Sequence, residues 1–193
     1  MKTCFIITGL LRNFSKKLYI FLCRLETILD FDVYIYTSSN SSDMNYNTDD
    51  NIDVISDILK NKRYKLVFFD NTELDISCNM SKKEQGILYQ WDKFKKCFTF
   101  IPDIYDIYIR VRPDIDILIT INEFNDILKN INISFLYIPE GSNRFSINSI
   151  NDQFAIGSYN YIKEYAAIYD IAFKKNIFLM NNLYLKPYSG LIL

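Results

Sequence analysis

Residues 105–119 read YDIYIRVRPDIDILI. Up to the proline the run alternates. Ile107, Ile109 and Val111 fall on one face of a strand, and Tyr108, Arg110 and Arg112 on the other, because side chains along a strand repeat every second residue. Pro113 cannot donate to a ladder, so regular pairing is expected over 105–113 and to end there. Asp114 and Asp116 follow, two positions apart. A strand that closes on two guanidiniums and two carboxylates fits a sheet whose carboxyl edge holds a ligand.

The flanking sequence supports such a sheet. KTCFIITG (2–9) is a continuous apolar run ending in glycine, as in a strand buried on both faces. FDVYIYT (31–37), YKLVFFD (64–70) and SFLYIPE (134–140) read as further strands. Helical spacing of apolar residues covers 14–29, 51–61, 81–101 and 160–175, and Ser81 with Glu84 has the pattern of a capping box. Alternating strands and helices predict an α/β fold with a mostly parallel central sheet flanked by helices, in a single domain spanning 1–193. In such sheets ligands lie outside the carboxyl ends of the strands. Residues 38–51, rich in Ser, Asn and Asp, are expected to form a flap over that edge.

Composition narrows the chemistry. With 49% apolar residues and a length of 193, the chain can bury a sizeable core. It has no histidine, which excludes histidine-based nucleophilic triads and histidine-ligated metals within the chain. A net charge of −1 gives no basic field for nucleic acid. Cys4, Cys23, Cys78 and Cys97 form no CxxC pair, and buried free thiols in a reducing compartment are expected. No apolar run is long enough to span a membrane. The N-terminal run is broken by Thr8 and Gly9 and ended by Arg12, with no small-residue cleavage site after it, so it is read as the first strand and not a signal peptide.

Three polar groups fall at strand carboxyl ends: Gly9, Arg12 and Asn13; Thr37–Asn40; and Arg112, Asp114 and Asp116. Backbone amides at Gly9 with the Arg12 guanidinium would suit a phosphate, although Arg12 also fits a solvated helix start. Both glycine-rich phosphate-loop patterns are absent, which disfavours a dinucleotide dehydrogenase or a P-loop NTPase. Asp114 and Asp116 are hard oxygen ligands of the kind Mg²⁺ or Mn²⁺ takes beside a substrate diphosphate, and they equally fit a solvated turn. Asp152, in INSINDQFAIGS (147–158), is a candidate general base or a cap. On the long helix Trp91 is expected in the core. Lys93, three positions after Gln90, is either a ligand of the donor or a packing residue.

Taken in order, ITGLLRNF, FDVYIYT, YQWDKFKKCF, YDIYIRVRPDIDI, INDQFAIGS and YIKEYAAIY resemble a family of GT-A glycosyltransferases found in large DNA viruses and bacteria. The resemblance covers about residues 3–172. It extends in size and architecture to the N-terminal rhamnosyltransferase domain of a chlorella-virus protein. It implies a single GT-A-like (Rossmann-like) domain and a nucleotide-diphosphate sugar donor, with a UDP-sugar favoured. It also implies Mn²⁺ or Mg²⁺ at Asp114 and Asp116, donor contacts from Gly9, Arg12 and Arg112, and Asp152 facing the acceptor or sugar. With Asn13, Thr37 and Lys93 these make the expected donor and metal site. The expected activity is hexosyl or deoxyhexosyl transfer to a glycan, glycoconjugate or other hydroxyl acceptor. Inversion is favoured, with Asp152 as base, in the cytoplasm (the host's, for a viral protein). Many relatives keep only the first aspartate of the pair. Relatives also continue beyond a segment like LYLKPYSGLIL, so a fragment or a minimal version ending at Leu193 is expected. The alternatives are a Mg²⁺-dependent nucleotidyltransferase and a non-catalytic nucleotide-sugar-binding domain.

Overall fold

The computed structural model describes residues 1–11, 13–38, 52–71, 82–139, 153–168 and 170. The expected flap at 38–51 beyond Ser38, the Ser81 cap, Arg12, Asp152 and the segment after residue 170 lie outside the described residues. The elements are β1 (Thr3–Thr8), α1 (Leu18–Leu25), β2 (Phe31–Thr37), α2 (Ile52–Lys60), β3 (Tyr64–Phe69), α3 (Lys82–Phe98), β4 (Ile107–Val111), α4 (Ile121–Asn130), β5 (Phe154–Gly157) and α5 (Tyr159–Ala166).

The fold is α/β with a mostly parallel sheet flanked by helices. Among the described residues five strands lie in the order β3-β2-β1-β4-β5. β1 pairs in parallel with both β2 and β4, β2 with β3, and β5 runs antiparallel to β4. From β1 the chain steps outward to β2 and β3, then crosses back over β2 and β1 to β4. Right-handed crossovers on one sheet then demand that α1 and α2 cover one face and α3 the other.

The core is divided in that way. Phe5 and Ile7 of β1 and Ile107, Ile109 and Val111 of β4 pack with Leu18, Leu22 and Leu25 of α1, Ile58 of α2 and Phe124 and Leu128 of α4. Cys4 and Ile6 face the other way, with Tyr34, Tyr36 and Tyr108, onto Leu88, Trp91, Phe94 and Cys97 of α3 and Ile162 and Tyr165 of α5. Trp91 is a core residue as expected, edge-on to Tyr165 at 4.8 Å. β1 is buried at every position, which is why its sequence shows no alternation.

Several expectations are corrected. SFLYIPE is not a strand. Its part of the sheet is a single antiparallel bridge, Tyr137 to Ile156, and Phe135 is exposed. The strand instead lies in FAIG, within the stretch 147–158 that holds the candidate base Asp152 and was assigned no strand. α1 begins four residues later than the apolar spacing predicts. Asn13 takes a left-handed φ of 51° and its carbonyl receives the amides of Lys16 and Lys17, so the chain turns before it coils. The sequence reading also had no helix between β4 and SFLYIPE. There α4 starts at a full capping box: Thr120 Oγ1 accepts the Glu123 amide, and the Glu123 carboxylate accepts the Thr120 amide at 2.8 Å. Among the cysteines, Cys4 and Cys97 are buried free thiols but Cys23 is exposed. Among the described residues no helix is long and apolar enough to cross a membrane.

Candidate functional site

β1 feeds β2 on one side and is paired with β4 on the other, so connections leave in opposite directions between β1 and β4. At such a switch point the loops diverge and a crevice opens at the carboxyl edge. The two chain ends that flank it are Thr8–Gly9 after β1 and Arg112–Pro113–Asp114 after β4.

Gly9 has φ +118°, a conformation nearly confined to glycine. Its amide donates to the Tyr36 carbonyl at 3.3 Å, and its carbonyl accepts the Thr37 hydroxyl at 2.7 Å. Thr37 is fully buried, so its hydroxyl ties the ends of β1 and β2 together. A Cβ on Gly9 would stand 3.7 Å from Pro113 Cδ and 4.0 Å from Gln90 Cγ. The glycine, the proline and α3 therefore meet at the switch point. Gln90 Oε1 is buried and has no hydrogen-bond partner among the described residues, and neither has the Thr8 hydroxyl on the preceding residue.

After β4 the Arg112 guanidinium grips Asp114 with both prongs, Nε to Oδ1 at 2.9 Å and Nη2 to Oδ2 at 2.6 Å. This is the planar, bidentate geometry that fixes a carboxylate. The Arg112 amide donates to the Gln153 carbonyl at 2.9 Å, which carries the β4–β5 ladder one step past the strand. Asp116 meets a different cation, Lys17 Nζ, in the turn before α1. The two aspartates are thus held from two directions, one by its own strand end and one by the start of the first helix.

Lys93 is 6% exposed and donates from Nζ to the Asp70 carbonyl at 2.9 Å, beyond the end of β3. Burial lowers its pKa, with Asp70 opposing. The Asp70 carboxylate, also buried, accepts from Tyr36 Oη and Lys96 Nζ, each at 3.0 Å. Lys96 also bridges to Asp92 at 2.8 Å. Sequence reasoning missed Asp70, although the rule that singled out Gly9 and Arg112, a polar residue at a strand's carboxyl end, applies to it equally.

Of the residues expected at the site, Gly9, Thr37, Arg112 and Asp114 come together around the switch point. Asn13 lies in the turn after β1, Asp116 faces that turn's end at Lys17, and Lys93 reaches the end of β3. The donor set fits a hard divalent cation in one particular way. Among the described residues no three Cys, Asp or Glu side chains gather as a metal-holding group. Each Asp114 oxygen takes one N–H and keeps a lone pair. One or two carboxylates with lone pairs to spare are what Mg²⁺ or Mn²⁺ takes from a protein when substrate phosphates and water complete its octahedron.

No family model matches the chain, and no curated protein matches it in sequence. Solved structures similar to it include 4-diphosphocytidyl-2C-methyl-D-erythritol synthase from Anaerococcus prevotii, 9% identical with a TM-score of 0.45, covering 89% of this chain and 77% of that one. Mouse xyloside xylosyltransferase 1, in its apo form, is 7% identical with a TM-score of 0.46, covering 89% of this chain and 71% of that one. At these scores neither likeness bears on activity.

Proposed function

We propose that this chain is a metal-dependent glycosyltransferase that moves a sugar from a nucleotide diphosphate, UDP favoured, to a hydroxyl of a glycan or other acceptor in the cytoplasm. The observation that carries the reading is the Arg112–Asp114 fork set beside Gly9 at the switch point between β1 and β4. A glycine with no side chain lets a diphosphate approach the backbone, and a clamped carboxylate beside it presents oxygen to a cation. The motif order along the chain, which resembles GT-A enzymes, supports the same reading.

Asp114, with Asp116 as a second ligand, would hold Mn²⁺ or Mg²⁺. The ion when bound offsets the charge of the departing diphosphate. Arg112 orients Asp114, and its bidentate grip supports that role over a direct phosphate contact. Gly9, Arg12, Asn13, Thr37 and Lys93 make up the donor side. In an inverting reaction Asp152 takes the proton of the acceptor hydroxyl. The hydroxyl oxygen forms the new bond to the anomeric carbon, and the bond from that carbon to the diphosphate breaks, with both its electrons leaving on the diphosphate.

Calorimetric titration with UDP tests the donor site. Binding is expected with Mn²⁺, weakened by EDTA and by Asp114→Ala. Tight binding in EDTA that Asp114→Ala leaves untouched overturns the metal role. Asp152→Asn is expected to abolish turnover and leave UDP binding intact. Release of pyrophosphate in place of a nucleoside diphosphate would identify nucleotidyl transfer instead.

A further inference from the structure

Arg110 is left over from this account. It is 2% exposed and sits in β4, among the largest wholly buried side chains of the described residues. Its guanidinium lies over the Phe94 ring at 5.5 Å and its Nη1 donates to the Gln153 carbonyl at 3.1 Å. The Arg112 amide donates to that same oxygen at 2.9 Å. Both lone pairs of one carbonyl are therefore used, one by the ladder and one by a buried cation. Desolvating a guanidinium is unfavourable, and packing alone would be served by an aliphatic side chain. What an aliphatic cannot supply is a charge-assisted donor, held flat on an aromatic ring and aimed along the strand at a backbone oxygen two rungs away.

We propose that Arg110 is a positioning residue: it clamps the Gln153 carbonyl, and so the backbone leading into β5, in register with the Arg112–Asp114 fork. Gln153 follows Asp152 directly in the chain. One strand thereby sets the carboxylate fork through Arg112 and the backbone leading into β5 through Arg110. The catalytic consequence rests on the glycosyltransferase reading, whereas the clamp itself does not.

The test uses the full chain with Arg110→Met and Arg110→Lys. Amide exchange followed by NMR reads the clamp without any substrate. The Arg112 amide is expected to exchange at least tenfold faster in Arg110→Met, with Arg110→Lys in between, while amides of the β1–β2 ladder stay protected. Unchanged exchange at Arg112, or equal loosening across the whole sheet, overturns the clamp. Release of UDP from a UDP-sugar, without acceptor, reads the consequence. It is expected to fall by about 10–100-fold in Arg110→Met, the scale of a small misplacement, with UDP affinity within about twofold of wild type. Parallel loss of UDP affinity and turnover overturns positioning in favour of direct donor contact. Wild-type protein that releases UDP from no UDP-sugar sinks the glycosyltransferase reading, while the exchange result still decides the clamp.

Discussion

Replacing Gly9 by alanine separates two explanations for a glycine at the switch point. A Cβ there would meet Pro113 Cδ at 3.7 Å and Gln90 Cγ at 4.0 Å, both ordinary van der Waals distances. Crowding therefore contributes little. The torsion decides, because φ is +118° and an L-residue held there costs about 1–3 kcal/mol. In a chain of this size that lowers Tm by roughly 2–12 °C. The backbone cannot relax cheaply, since the Gly9 amide and carbonyl are bonded to Tyr36 and Thr37. The assay is urea unfolding followed by circular dichroism, on three proteins: wild type, Gly9→Ala, and a semisynthetic protein with D-alanine at position 9, joined by ligation at Cys23. The D-residue is at ease at positive φ, so it is expected to unfold within about 0.5 kcal/mol of wild type while Gly9→Ala loses the full amount. Equal losses for the two enantiomers, or no loss for either, would refute the torsional argument.

Other expectations follow from single contacts. Thr120→Ala removes the cap of α4 and is expected to destabilise by about 1 kcal/mol, read by the same urea titration. Burial first, and then its bond to Asp70, push the Tyr36 phenol up to about 12. Folding thus favours the neutral phenol, and its contribution is complete below pH 10 and lost as pH rises towards 12. Tyr36→Phe should flatten the fall of Tm over that window, and an unchanged slope would assign the alkaline loss to other groups. Thiol labelling of folded protein should modify Cys23 quickly and spare Cys4 and Cys97, whose buried thiols have raised pKa values. Fast labelling of Cys97 in the folded chain would contradict its place under α3.

The sheet was legible where one strand's own pattern carried the information. β1, β2 and β4 are runs that only a strand buried in an α/β fold explains, and the carboxyl-end rule then led to Gly9 and Arg112. The fifth strand was not legible. SFLYIPE has the aromatic and β-branched content of a strand yet contributes one bridge, whereas FAIG, four residues long, becomes a strand because β4 is there to pair with it. Partners far apart in sequence were equally hidden. Lys17 and Asp116 are 99 positions apart, and Lys96 and Asp70 are 26 apart, so nothing local marks them as pairs. The Thr120–Glu123 cap was visible in principle. Leu118, just before it, stands 93% exposed and starts no further strand.

The placement of β1 between β2 and β4 also dictates an order of assembly. Thr3 pairs with Phe31 across a short loop and with Ile107 across one nearly four times as long, which adds about 1 kcal/mol of closure entropy. During synthesis the β1–β2–β3 half has its partners long before β4 has left the ribosome. Until then β1 presents an open apolar edge, the kind that pairs with the wrong strand. Docking of β4 closes that edge and in the same event brings Pro113 to Gly9. The crevice is therefore absent from every nascent chain shorter than β4, and a chain cut before Val111 is expected to aggregate rather than to bind.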